Sequence, residues 1–226
     1  MSRSGRDSSS AEAQRRELDR VGAFSDGVFA VAITLLVLNI EVPDIPSGQK
    51  GLDDALVDLL PSIQAYFIAF AVIGLFWYGH HVAWSRLERS SGKLVAANLL
   101  LLSLIGLMPF TTALIGGSYE GSEEAVAVSV YALNVGLAAL ADSLMDRIVI
   151  SGDLAMPSSP VEQRAQLVGG WLRCGIFFVS IPIAFLISPT IAELIWLGLL
   201  FTSTLAYRLA GDPPEPESPE PESPPS

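Results

Sequence analysis

Asp26 sets the chemical question. It stands in the stretch R-V-G-A-F-S-D-G-V-F-A-V-A-I-T-L-L-V-L-N-I-E, Arg20 to Glu41, whose second half is apolar enough to cross a bilayer. A carboxylate inside such a helix is costly, so it marks either a function or a specific partner. Few residues can act with it. Ser25 is its neighbour, Trp77, His80 and His81 close a second apolar run, and Lys93 and Asn98 open a third. Trp77 and His81 are four apart and share a helix face. An indole N–H, an imidazole, the Arg20 guanidinium and the Asn98 amide can therefore converge on Asp26. Two chemistries are open to this set. One is a hydrogen-bonded lock between helices. The other is a titrating Asp26–His81 relay. The lock is the favoured reading.

Other chemistry lacks the residues it needs. Cys174 is the single cysteine, so there is no cysteine metal cluster. His80 and His81 are adjacent and point apart on a helix, which argues against a zinc site. No HExxH or comparable ligand pair occurs. Ser103, Ser129 and Ser180 read as helix-packing serines. The expectation is no enzyme, no metal and no cofactor. The net charge of −11 owes much to a tail holding Asp212, Glu215, Glu217, Glu220 and Glu222 without a base, so nucleic acid is not an expected partner.

The elements that must position these residues are membrane helices. The apolar residues come in runs of about 20 or more, and only helices satisfy their own backbone at such lengths in lipid. Six spans are predicted, near 21–41, 56–84, 93–116, 123–146, 164–187 and 190–210. The expected fold is an all-α integral membrane protein. Residues 1–19 form a cytoplasmic head, disordered at first and helical towards Glu12 to Arg20. Residues 20–210 form the transmembrane domain. Residues 211–226, with P-E-P-E-S twice, form a disordered tail.

Six spans put both termini and two loops on one side. That side receives Arg3, Arg6, Arg15, Arg16, Arg20, Arg86, Arg89, Lys93, Arg147, Arg164, Arg173 and Arg208, leaving only Lys50 opposite. This asymmetry makes both termini cytoplasmic. The outer side is acidic, with Glu41, Asp44, Asp53, Asp54, Asp58, Glu120, Glu123, Glu124 and Glu193.

A helical wheel divides the first span. With Val31 at zero, Leu38 falls at about −20°, Leu35 at about 40°, Phe24 at about 20° and Thr34 at about −60°. Ser25 and Asp26 fall at about 120° and 220°, away from that stripe. By itself such a stripe reads as lipid contact or ordinary packing.

Arg20-x-x-x-Phe24-Ser25-Asp26, followed by Val28-Phe29-Ala30-Val31-x-x-Thr34-Leu35-Leu36-Val37-Leu38, resembles the first-helix signature of the transmembrane protein 175 family of potassium channels. Trp77-x-x-His80-His81, Asn98 and Met108-Pro109-Phe110-Thr111 are similar to that family as well. The resemblance covers the first three spans; the last three match in number and character. It implies a homotetramer whose first helices line a central pore. It places Val31, Leu35 and Leu38 at the apolar constriction with Thr34 beside them. It makes Arg20, Phe24, Ser25, Asp26, Trp77, His81 and Asn98 the network that holds the pore helix. One departure is Val31, where isoleucine is commoner, which leaves the narrowest ring open.

The function so implied is a potassium-selective, weakly voltage-dependent cation leak channel with a hydrophobic constriction. Glu41 is the acid at the pore mouth. The expected partners are permeating K+, with other monovalent cations or protons not excluded, the lipid bilayer of the plasma membrane, and further copies of the chain. The alternative is a proton-coupled or other secondary transporter using Asp26 and His81. Broken spans would favour that alternative.

Overall fold

The computed structural model describes residues 3–43, 51–117, 119 and 121–211. Helix α1 runs Arg3–Leu35 and tightens into a 3-10 turn, Leu36–Asn39. Then come α2 (Leu52–Asp58), α3 (Leu60–Ser85), α4 (Gly92–Ile115), α5 (Ser122–Gly152), α6 (Pro160–Leu186) and α7 (Pro189–Ile195). A 3-10 segment, Trp196–Phe201, joins α7 to α8 (Thr202–Ala210). Six helical segments are long and apolar enough to cross a membrane: α1 with its 3-10 turn, α3, α4, α5, α6, and α7 through α8.

The boundaries have local causes. The head is helical from Arg3 onwards, earlier than the start near Glu12 that the sequence suggests. Glu12 and Arg16 pair one turn apart at 3.9 Å, and Leu18 is already buried. The expected span at 56–84 is two elements. Pro61 stands in the first turn of α3, where its missing N–H is harmless, and α2 ends just before it. Helix α6 starts at Pro160 and not near 164, because Ser159 and Glu162 form a reciprocal capping box. Helix α5 continues past 146 to Gly152. Its 31 residues span roughly 46 Å at 1.5 Å per residue, so it outreaches a bilayer core of about 30 Å. The Pro/Glu-rich tail lies outside the described residues from 212 onwards, as do Asp44, Lys50 and Glu120.

Helix α5 is the hub, packed against α4, α6 and α7. Its inward face is mostly small: Ala125, Ala127, Ala132, Ala138, Ala139 and Ala141 are buried, with Tyr131 filling the gap against Trp196. Small residues let helix backbones approach where lipid offers no hydrophobic drive. At one end of the bundle the α3–α4 and α5–α6 connections are stitched together. The Glu88 and Arg89 amides donate to the Leu154 carbonyl at 2.9 and 3.1 Å, and the Met156 amide donates to the Arg86 carbonyl at 2.9 Å. Arg86, Arg89, Lys93, Arg147 and Arg164 thus belong to one end. Arg173, counted with the bases of that side, lies inside the fifth span. It lies midway along α6 and donates to Asp142 of α5 at 2.8 Å. Helix α1 sits to one side of this hub, packed on α4 and α3.

A two-faced helix and the network that holds it

Helix α1 is apolar on two sides. Leu18, Ser25, Phe29, Ala32 and Leu36 are buried, at spacings that follow one helix face. Opposite them, Val31 is 56 %, Leu35 41 % and Leu38 70 % exposed, and Thr34 and Phe24 are exposed beside them. The Thr34 hydroxyl donates to the Ala30 and Val31 carbonyls at 3.0 and 2.9 Å. Its proton is committed to the helix, so its free lone pairs remain as acceptors on the exposed side.

The buried face is held by a directional chain. Asn98 Nδ2 donates to Ser25 Oγ at 3.0 Å, and Ser25 Oγ donates to the Val21 carbonyl at 2.9 Å. With its amide nitrogen so used, Asn98 turns Oδ1 to His80, whose Nε2 lies 3.0 Å away. His80 Nε2 must then carry the proton. Ser25 and Asn98 are completely buried and His80 is 3 % exposed. Two indoles fasten α3 to α1 on either side of this chain. Trp77 Nε1 donates to Asp26 Oδ1 at 2.9 Å, and Trp84 Nε1 donates to the Leu18 carbonyl at 3.0 Å. His80 stacks on Trp84 with ring centres 5.0 Å apart. At the far end of α1, Asn39 Nδ2 donates to the Pro109 carbonyl at 2.8 Å.

The structure rearranges the expected network. Ser25, Asp26, Trp77 and Asn98 meet, but the hydrogen-bonding imidazole is His80. His81 is exposed and stacks on Trp77 at 5.5 Å instead. Adjacent residues diverge by about 100° on a helix, and Trp77 looks towards Asp26 at the edge of the contact while His80 points into it. Arg20 does not join Asp26. It is exposed and makes no side-chain hydrogen bond or ion pair with the described residues. Phe24 shares the exposed stripe and not the buried one. Glu41 is exposed just beyond the 3-10 turn.

Several polar residues of the network stand outside the sequence expectations. Trp84 and Asn39 carry interhelical hydrogen bonds, and the Trp77-x-x-His80-x-x-x-Trp84 stripe is the signal that marks the first. Asp142 pairs with Arg173 across two helices, 31 positions apart, which no local pattern announces. Among the described residues no three His, Cys, Asp or Glu side chains are grouped to hold a metal ion.

Comparison with known proteins bears on the fold and the family. A family model described as the endosomal/lysosomal potassium channel TMEM175 matches residues 20–109. A potassium channel of Streptomyces collinus is 38 % identical over 178 residues, covering 74 % of this chain and 85 % of that protein. The endosomal/lysosomal proton channel TMEM175 of Mus musculus is 38 % identical over 98 residues, 40 % of this chain but 20 % of that protein. The crystal structure of a lysosomal potassium-selective channel TMEM175 homolog from Chamaesiphon minutus superposes with a TM-score of 0.74 at 30 % identity, covering 84 % of this chain and 98 % of that one. With six membrane-length helices, a shared fold and a shared first-helix signature, this chain belongs to the TMEM175 family.

Proposed function

We propose that the chain is one subunit of a potassium-selective, weakly voltage-dependent cation leak channel, in which four copies turn their exposed α1 stripes towards a common axis. The two-faced character of α1 carries this reading. One face is buried and bonded to its own subunit, while the other exposes Val31, Leu35 and Leu38 with Thr34 alongside. A ring of such side chains obstructs an ion by stripping its water. Potassium sheds water more cheaply than sodium, so the ring favours potassium modestly. Thr34 lone pairs offer partial replacement for the lost shell. The outer acids, with Glu41 nearest the mouth, concentrate cations. No run of arginines lines one face of a span, so steep voltage gating is not expected. The base-rich end of the bundle is cytoplasmic by the positive-inside rule, in a plasma membrane. The relatives bearing potassium-channel names extend across most of this chain, which supports the ion chosen.

The carrier reading, with Asp26 and His81 as the titrating pair, has less behind it. Helices α4 and α6 run unbroken through Pro109 and Pro182. The test is a reversal-potential measurement on purified protein in planar bilayers under potassium/sodium bi-ionic conditions, with and without a proton gradient. The wild type should reverse towards the potassium equilibrium. Leu35→Ala should raise conductance and shift reversal towards zero. Unchanged selectivity in Leu35→Ala would overturn the pore assignment, and saturating, strictly coupled flux would establish the carrier.

A further inference from the structure

Helix α1 runs unbroken from Arg3 to Leu35, so the exposed stripe through Val31 and Leu35 can be followed along the same face towards the base-rich end. With Val31 at zero and 100° per residue, Phe24 falls at about 20°, Arg20 at about −20°, Glu17 at about 40° and Arg16 at about −60°. Arg20 is thus close to the centre line of the stripe, roughly 16 Å along the axis from Val31 at 1.5 Å per residue. Arg16, Glu17, Arg20 and Phe24 open into one groove beside α4, and α4 lines it with apolar side chains, Val95 and Leu99. The three charges differ in what they meet. Arg16 faces Glu12 at 3.9 Å, and Glu17 accepts from the Ser90 hydroxyl at 3.4 Å. Arg20 is exposed, with no hydrogen bond or ion pair among the described residues. The acids that flank it along α1 point elsewhere: Asp19 is about 100° and Asp26 about 240° round the helix, and Asp26 accepts from Trp77.

We propose that Arg20 sets the direction in which the pore passes current best: four copies form a cationic ring at the cytoplasmic mouth, which lowers the local potassium concentration there and makes the current rectify inwardly. This rests on the pore reading given above. With Glu17 set against one of the two arginines, each subunit leaves one positive charge on this face. Arg20 is also the innermost of the three, so it is the last charge a cation passes before the apolar constriction. A cleft lined by one sign of charge changes the local concentration of mobile ions by about tenfold or more. Outward current draws on the inner mouth, where Arg20 stands. Inward current draws on the outer mouth, where Glu41 stands. One constriction is therefore fed unequally from its two sides, and the current becomes asymmetric with no voltage-sensing helix. The asymmetry comes from fixed charges, so it fades as screening shortens from about 30 Å at 0.01 M salt to about 3 Å at 1 M.

The test uses the full chain in inside-out membrane patches, which fix its orientation, with equal potassium chloride on both sides. At about 0.01 M salt the inward current should exceed the outward by about twofold or more, and at about 1 M the two should be nearly equal. Arg20→Gln should raise the outward current about twofold or more at low salt, with little change at high salt, whereas Arg20→Lys should rectify as the wild type does. Arg20→Cys lets charge be returned to a channel that has already folded. Trimethylammonioethyl methanethiosulfonate at the cytoplasmic face should restore the rectification and sulfonatoethyl methanethiosulfonate should reverse it, with the wild type, whose Cys174 is buried, as the control. If no Arg20 variant assembles, Glu41→Gln decides, because rectification should persist there on the inner ring alone; a symmetric current in Glu41→Gln would overturn the proposal. So would an outward current that neither Arg20→Gln nor either reagent alters, which would leave Arg20 a structural residue. The pore reading fails separately, when Leu35→Ala keeps the wild-type potassium preference whatever Arg20 does.

Discussion

At the scale of single residues, Asn98 is the pivot. It accepts from His80, donates to Ser25, and has no access to lipid or water. Replacing it by leucine keeps the volume but leaves the His80 N–H without its acceptor and Ser25 without its donor. Orphaned buried polar groups cost about 1–3 kcal/mol, and interhelical hydrogen bonds in membranes average nearer 0.6 kcal/mol. Asn98→Leu should therefore destabilise the subunit by about 1–2 kcal/mol, read as a lower denaturation midpoint, with Ser25→Ala losing less because the Val21 carbonyl keeps its helical donor. The shared face of Val31, Thr34, Leu35 and Leu38 is legible in the sequence alone, since it needs only the turn angle of a helix. The choice between His80 and His81 is not. It depends on how α3 is rolled about its own axis, and that roll is set by Trp77 and Trp84 gripping α1.

Elements tell a similar story. Six apolar runs announce six helices, and Pro61 and Ser159-Pro160 mark where two of them start. The helical turns before Glu12 are hidden because charged, serine-rich sequence lacks an apolar stripe of its own. Further along, the Leu18 carbonyl accepts from Trp84 Nε1, a bond between residues 66 positions apart. Helices α5 and α6 approach closely, and a Cβ placed on Gly170 would overlap the Ser143 hydroxyl. Gly170→Ala should force these helices apart and cost about 1–3 kcal/mol, as overpacking does. Thermal unfolding of Gly170→Ala beside Gly170→Ala/Ser143→Ala should show part of that loss restored when the hydroxyl is removed. If the double variant is no better than the single one, the crowding lies in the backbone and not in Ser143.

On the scale of the whole molecule, the proposed assembly would cover the bare face of α1. Asp26 is exposed even though it accepts from Trp77, so in the proposed assembly it would be open to a neighbouring copy. Asp26→Ala should lower the yield of assembled oligomer on size-exclusion chromatography. A normal oligomer with abolished transport would instead favour a carrier. Glu41→Gln should reduce conductance mainly at low ionic strength, because screening shortens from about 30 Å at 0.01 M to about 10 Å at 0.1 M. An equal loss at high salt would mean that Glu41 supports structure. The two side-chain bonds from α1 to α4 carry one more implication. Ser25 is tied to Asn98 and Asn39 to the Pro109 carbonyl, so the segment from Val31 to Leu38 is a beam clamped at both ends to the same neighbour. A clamped beam cannot swing. In the proposed pore, widening at Val31, Leu35 or Leu38 would come from rotamer changes of those side chains or would carry α4 along with α1.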